Sequence, residues 1–166
     1  LFATNLSEIV LMSAGALLGL DTLDPVQLLW LNLLSDTFPA LALALEPGDP
    51  NVLRRSPVNP RASLLSGRDL GRVMRDGAAM GGAALAVFAV GGRTAAFSTL
   101  TALQLGYALA CRAPERRPSA RFKAMLAGTA AVELVGMLLP GVRTRIGLTR
   151  PGLLSLAGMS TAFAAP

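Results

Sequence analysis

Histidine is absent from the 166-residue chain, and cysteine occurs once, at Cys111. A single thiol excludes an intramolecular disulfide, and a Cys-based metal site is excluded with it. Cys111 reads as a small buried hydrophobe. Aromatic residues make up only 5% and charged residues 15%, where a soluble domain carries about 25% charged. The net charge of +5 is carried by Arg set between apolar runs, with few aromatics to stack on bases. Nucleic acid is therefore excluded as a partner. There is no basic leader with a small-residue cleavage pattern, so no signal peptide is read. The chain opens LFATNLSEIV and closes STAFAAP, each inside an apolar run, and reads as a stretch cut from a longer protein.

What the sequence has instead is length in apolar runs. Hydrophobic residues make up 52%, and the mean hydropathy is +0.54. A helix that crosses a bilayer needs about 20 predominantly apolar residues. Six stretches approach that: 1–20, 26–45, 72–91, 94–111, 122–139 and 152–166. The fold expected is all-α, a polytopic transmembrane bundle of about six helices. The connections DTLDP, GG and PGVRTRIGLTRPG read as short turns between antiparallel neighbours. The longer ones are Pro-rich and basic.

Lys and Arg set the orientation. Residues 46–76 hold six Arg, and residues 112–123 hold four Arg and one Lys. The opposite side holds Arg93, Arg143, Arg145 and Arg150. Eleven cations against four place loops 46–71 and 112–121 in the cytoplasm of a multi-pass protein of the cell membrane. The Arg in those loops read as snorkelling anchors.

A few polar side chains interrupt the apolar stretches. Asn5 and Glu8 are three residues apart and share a helix face. Asn32, Ser35 and Asp36 fall at i, i+3 and i+4, again one face. Gln104 and Glu133 lie in later helices. A carboxylate at the centre of a spanning helix costs on the order of 2.5–3.5 kcal/mol. No Lys or Arg lies in the first two stretches to offset Glu8 and Asp36. Protons or metal cations remain. Hard cations take carboxylate, amide and hydroxyl oxygens. Asn5, Glu8, Asn32, Ser35 and Asp36 supply that set, and Gln104 adds one more. Pro39 has no N–H to offer the carbonyl of Ser35, and such a carbonyl is tolerated in lipid only beside a cavity or a partner. Glu133 has no partner of matching spacing, and stands between a second ion contact and a packed, protonated carboxyl. Trp30 reads as a packing residue. Helix-to-helix hydrogen bonding is the competing reading of Asn32 and Ser35.

The runs TNLSEIV and DPVQLLWLNLLSDTFPALALALEP resemble the fifth and sixth transmembrane helices of P-type cation-transporting ATPases. The nearest likeness is to calcium pumps of the sarcoplasmic reticulum type and their bacterial relatives. RTAAFSTLTALQLGYALACR is similar to the eighth helix of those pumps. The resemblance implies that residues 1–166 are the C-terminal transmembrane transport domain, from the fifth helix to a truncated tenth. It implies ion ligands at Asn5, Glu8, Asn32, Ser35, Asp36 and Gln104, with Asp36 shared between two sites. Ser35 stands where calcium pumps usually have Thr, and Gln104 where the sarcoplasmic type has Glu. The cargo implied is Ca2+; Mg2+, Mn2+ and Na+ are alternatives, as is a non-catalytic bundle. No phosphorylation motif of the DKTG type is present, so ATP and Mg2+ would act only through cytoplasmic domains outside this sequence. The implied partners are the lipid bilayer and the rest of the same polypeptide, with its first four helices and cytoplasmic domains.

Overall fold

A computed structural model of the chain describes residues 1–48, 51, 54, 65–112 and 117–157. The described residues are helical, with no strand among them. The elements are α1 (Phe2–Leu17), α2 (Pro25–Leu31), a π-helical turn (Asn32–Asp36), α3 (Thr37–Ala44), α4 (Gly67–Ala110), α5 (Ala120–Leu138) and α6 (Pro140–Arg145). Two stretches, Pro25–Ala44 and Gly67–Ala110, are long and apolar enough to cross a membrane.

Helix starts follow local chemistry. Pro25 opens α2 where its missing N–H costs nothing, and the Gln27 side chain accepts from the Asp24 N–H at 3.1 Å. Ser66 Oγ accepts from the Asp69 N–H at 3.2 Å to begin α4. Ser119 Oγ accepts from the Phe122 N–H at 3.1 Å to begin α5.

The stretches expected at 72–91 and 94–111 form one element that breaks at Gly92, where φ is +71°. Only glycine takes that conformation without strain. The chain reverses there. Gly77 and Gly81 meet the Ala3 and Ser7 carbonyls of α1 in rising order. Past the break, Gln104 reaches Glu8, and Ala108 lies with Thr4 and Leu1. The first half of α4 thus runs parallel to α1 and the second antiparallel. A Cβ on Gly81 would sit 2.5 Å from the Ser7 oxygen, so hydrogen at this position permits the close approach.

α5 runs antiparallel to α2–α3: Glu133 meets Ser35, and Phe122 and Leu126 pack on Ala42. Leu11, Leu31, Ala84, Phe97, Leu100 and Met137 form the main core between the helices. Meanwhile Ile9, Leu17, Leu29, Leu41, Val90, Val132 and Val135 point outward. Apolar surface spread over every long helix is what a lipid-facing exterior requires, and a soluble monomer rarely tolerates it.

One end of the bundle is tied by polar contacts. Arg93 forms ion pairs with Asp21 and with Asp24, the latter at 2.5 Å. Gln27 Nε2 donates to the carbonyls of Ile146 and Gly147 at 3.0 and 3.2 Å, and the Thr94 and Thr149 hydroxyls are 2.8 Å apart. At the other end Arg112 pairs with Glu46 at 3.1 Å and stacks on Phe122, and Ser119 also donates to Glu46. The Ser119 hydroxyl first, and Arg112 after it, hold the Glu46 carboxyl below its ordinary value.

Several expectations need correction. α4 begins at Gly67 and α5 at Ala120, so both basic loops are shorter than 46–71 and 112–121. The capping Ser residues extend each helix past the first Arg. Most of both loops lies outside the described residues. The turn expected after residue 139 contains a short helix, α6, started by Pro140. Of the stretch 152–166, residues 153–157 are helical and 158–166 lie outside the described residues. Cys111, expected to be buried, is exposed at the end of α4.

Candidate functional site

The second apolar stretch is not one regular α-helix. Asn32–Asp36 form a π turn between α2 and α3, directly ahead of Pro39. A π turn closes i→i+5, so each residue advances by a smaller angle than in an α turn. The expected common face of Asn32, Ser35 and Asp36 is broken as a result. Asn32 and Asp36 stay on the side of α1, and Ser35 turns to α5. The Asn32 backbone carbonyl accepts from the Thr37 hydroxyl at 3.0 Å, which helps satisfy the widened turn.

On the α1 side, Glu8 is buried, and its two oxygens face different helices. Oε2 accepts from Asn32 Nδ2 at 3.3 Å. Oε1 accepts from Gln104 Nε2 at 3.1 Å. Asn32 Nδ2 also donates to the Leu28 carbonyl at 3.0 Å. Three of the expected site residues, from three separate elements, therefore meet. Asp36 lines a cavity together with Gln104, the residue that donates to Glu8. No ion pair to Glu8 or Asp36 occurs among the described residues.

Asp36, Ser35, Gln104 and Pro39 line one cavity of about 40 Å³, together with Thr4 and Leu43. A water needs roughly 10–15 Å³ of such space, so there is room for a dehydrated cation or a few waters. Among the described residues, two buried oxygens on this cavity's lining residues, Asp36 Oδ1 and Gln104 Oε1, have no hydrogen-bond partner, and neither does Thr101 Oγ1 on the same half of α4. Unpartnered buried acceptors are rare and call for an explanation. Thr4 lies beside Asp36 while donating to the Leu1 carbonyl at 2.8 Å. Thr4 was not singled out by sequence, because a lone Thr in an apolar helix carries no spacing signal.

Asn5 is exposed on α1, and the structure does not bring it to this cluster. Asn32 is also exposed, although it touches Glu8. Glu133, which the sequence left without a partner, has two. Trp30 Nε1 donates to its Oε2 at 2.8 Å, and Ser35 Oγ donates to its Oε1 at 2.9 Å. Trp30 is thus a hydrogen-bond donor as well as a packing residue. Gly136, one turn on from Glu133, gives the indole its seat: a Cβ there would lie 3.0 Å from Trp30 Cζ2. Among the described residues no cluster of three or more His, Cys, Asp or Glu is present. Asp36 supplies a carboxylate on the lining of the cavity, and Glu8 stands behind Gln104, which lines it too.

Comparison with known proteins agrees in kind. The family described as "Cation transporting ATPase, C-terminus" matches residues 21–165. The chain is 34% identical over 124 residues to a "Calcium-transporting ATPase" of Bacillus subtilis, covering 68% of this chain and 14% of that protein. It is 43% identical over 68 residues to "Calcium-transporting ATPase 1" of Bacillus cereus, covering 40% of this chain and 8% of that protein. The chain thus spans a small part of the length of these relatives. Asn5 and Glu8 precede the stretch matched by the family, while Asn32, Ser35, Asp36 and Gln104 fall inside it. Since that match runs through all but the first helix, the chain belongs to the family of C-terminal regions of cation-transporting ATPases.

Proposed function

We propose that this chain is the cation-binding membrane portion of an ATP-driven pump of the P-type class, and that its cargo is Ca2+. One observation carries the reading: Asp36 Oδ1 and Gln104 Oε1, buried and unpartnered, on residues lining one cavity beside Glu8. Two carboxylates and several neutral oxygens suit a hard divalent ion. The names of the two Bacillus relatives support calcium over other cations. In this reading Asp36 and Glu8 neutralise the ion, and Gln104, Ser35 and Asn32 supply neutral oxygens. The exposed amides of Asn5 and Asn32 face the side where the remaining helices of the pump pack.

In the same reading six segments cross the cell membrane: α1, α2–α3, the two halves of α4, α5, and the apolar stretch expected at 152–166, of which 158–166 lie outside the described residues. The basic connections between α3 and α4 and between α4 and α5 are cytoplasmic. ATP and Mg2+ act through cytoplasmic domains of the same polypeptide, and lipid covers the outward apolar side chains. Backbone irregularity beside an ion site at mid-membrane recurs in transporters, and the π turn before Pro39 fits that use.

The test is isotope uptake into sealed vesicles by the whole polypeptide, with Ca2+, Mg2+, Mn2+ and Na+ in turn. Calcium uptake that is lost in Asp36→Asn is the expected result. Uptake of another cation alone would reassign the cargo. Uptake unchanged in Asp36→Asn would remove the site.

A further inference from the structure

Glu133 lies outside the cavity, yet it is among the most buried side chains of the molecule at 1% exposure. Among the described residues it forms no ion pair. Its two oxygens are used differently. The indole N–H of Trp30 can only donate, so Oε2 must accept. Trp30 is half-buried and its indole lies against Gly136. That leaves Oε1 for Ser35, whose hydroxyl can donate or accept. With Glu133 ionised its Oε1 accepts, so the single hydroxyl proton of Ser35 is drawn toward α5. Ser35 also lines the cavity that holds Asp36. With its proton turned away, it meets that cavity through oxygen lone pairs.

We infer that Glu133 is a positioning residue, which orients the Ser35 hydroxyl so that its oxygen, and not its proton, faces a cation in the cavity. The inference rests on the reading of that cavity as a cation site. Without Glu133 a serine is an indifferent ligand, since its proton is as free to point inward as outward. The π turn is what makes the arrangement available, because it carries Ser35 round to α5 while Asp36 stays beside α1.

Gln at position 133 gives a test that shape alone does not pass. In Glu133→Gln, Trp30 requires the amide oxygen, so the amide NH2 must face Ser35 and donate to it. The Ser35 proton is then displaced toward the cavity. The whole polypeptide carrying Glu133→Gln is expected to lose on the order of tenfold in apparent calcium affinity, with maximal rate little changed. Adding Trp30→Phe frees the amide to turn its oxygen to Ser35, and affinity should recover. Trp30→Phe alone should keep wild-type affinity, and in Ser35→Ala the Glu133→Gln change should add no further loss. A packing role predicts the reverse: Trp30→Phe costs affinity by itself and deepens the loss when combined. Wild-type affinity in Glu133→Gln, or no recovery in the double variant, overturns the inference. Should Glu133→Gln fail to accumulate, a loss of affinity in Trp30→Phe overturns it and retained affinity supports it. Asp36→Asn is assayed alongside. If that variant retains uptake, the cation-site reading itself fails; if only the Glu133 variants behave as wild type, this inference fails alone.

Discussion

Two glutamates lie buried in this bundle, and their surroundings differ in one respect that matters. Glu8 takes its hydrogen bonds from two amides, Asn32 and Gln104, at 3.3 and 3.1 Å. Each amide brings its own carbonyl oxygen, and that of Gln104 is left unpartnered. Glu133 takes shorter bonds, 2.8 and 2.9 Å, from an indole and a hydroxyl. An indole has no acceptor to leave over. The Glu8 region therefore has spare oxygens beside a cavity, and in the Glu133 region only the Ser35 hydroxyl has one to offer. Burial alone does not separate a ligand site from a fastening; the count of unused acceptors does.

That contrast can be broken by substitution. The largest effect is expected at the open region: Glu8→Gln should lower calcium affinity about 100-fold, the equivalent of roughly 3 kcal/mol, while leaving thermal stability in detergent nearly unchanged. Stability falling as far as affinity would merge the two regions into one kind. Glu133→Leu should do the opposite in stability, because the Trp30 N–H and Ser35 O–H are left buried without acceptors, at about 1–3 kcal/mol each. A melting temperature equal to wild type would count against the fastening description. Next, Gly81→Val should push α1 off α4, since even a Cβ meets the Ser7 oxygen at 2.5 Å; a loss of about 1–3 kcal/mol is expected from forced repacking. The same change at Gly82, which has open space around its Cβ position, should be far milder.

The smallest effect concerns the polar end. Glu46 has its carboxyl held below 4.5, so its tie to Ser119 and Arg112 stabilises the fold above that pH. As pH falls further the carboxyl protonates and the contribution is lost. A melting-temperature series from pH 7 to pH 3 should show this as a modest loss at the acid end that Glu46→Gln removes. An identical acid limb in the variant would refute it.

Much of the architecture was legible before any coordinates. Apolar runs of helical length mark α1, α2–α3 and both halves of α4. The GG at 91–92 announced the reversal. Glu8, Asn32 and Gln104 were singled out as groups too polar for their setting, and they meet. What could not be read was anything that depends on how helices are rotated against each other. The common face assigned to Asn32, Ser35 and Asp36 assumed regular α geometry, and the π turn breaks it. The partners of Glu133 depend on the antiparallel register of α5 on α2–α3, which no local spacing encodes. Arg93 was placed on the side opposite the basic loops, but its pairing with Asp21 and Asp24 needed the Gly92 turn to fold back beside α2.

The Arg93 contacts carry a mechanical consequence. α1 and α2–α3 are joined at Asp21 and Asp24, and Arg93 pins that joint to the reversal in α4. From there the two helices extend toward the opposite end, where Thr4 and Leu43 both line the cavity. The geometry is that of tongs, riveted at Arg93. In tongs a small rotation at the rivet becomes the largest displacement at the tips. The side chains that line the cavity lie on the long side of that lever, where little motion at the joint is needed to widen or close the grip around Asp36.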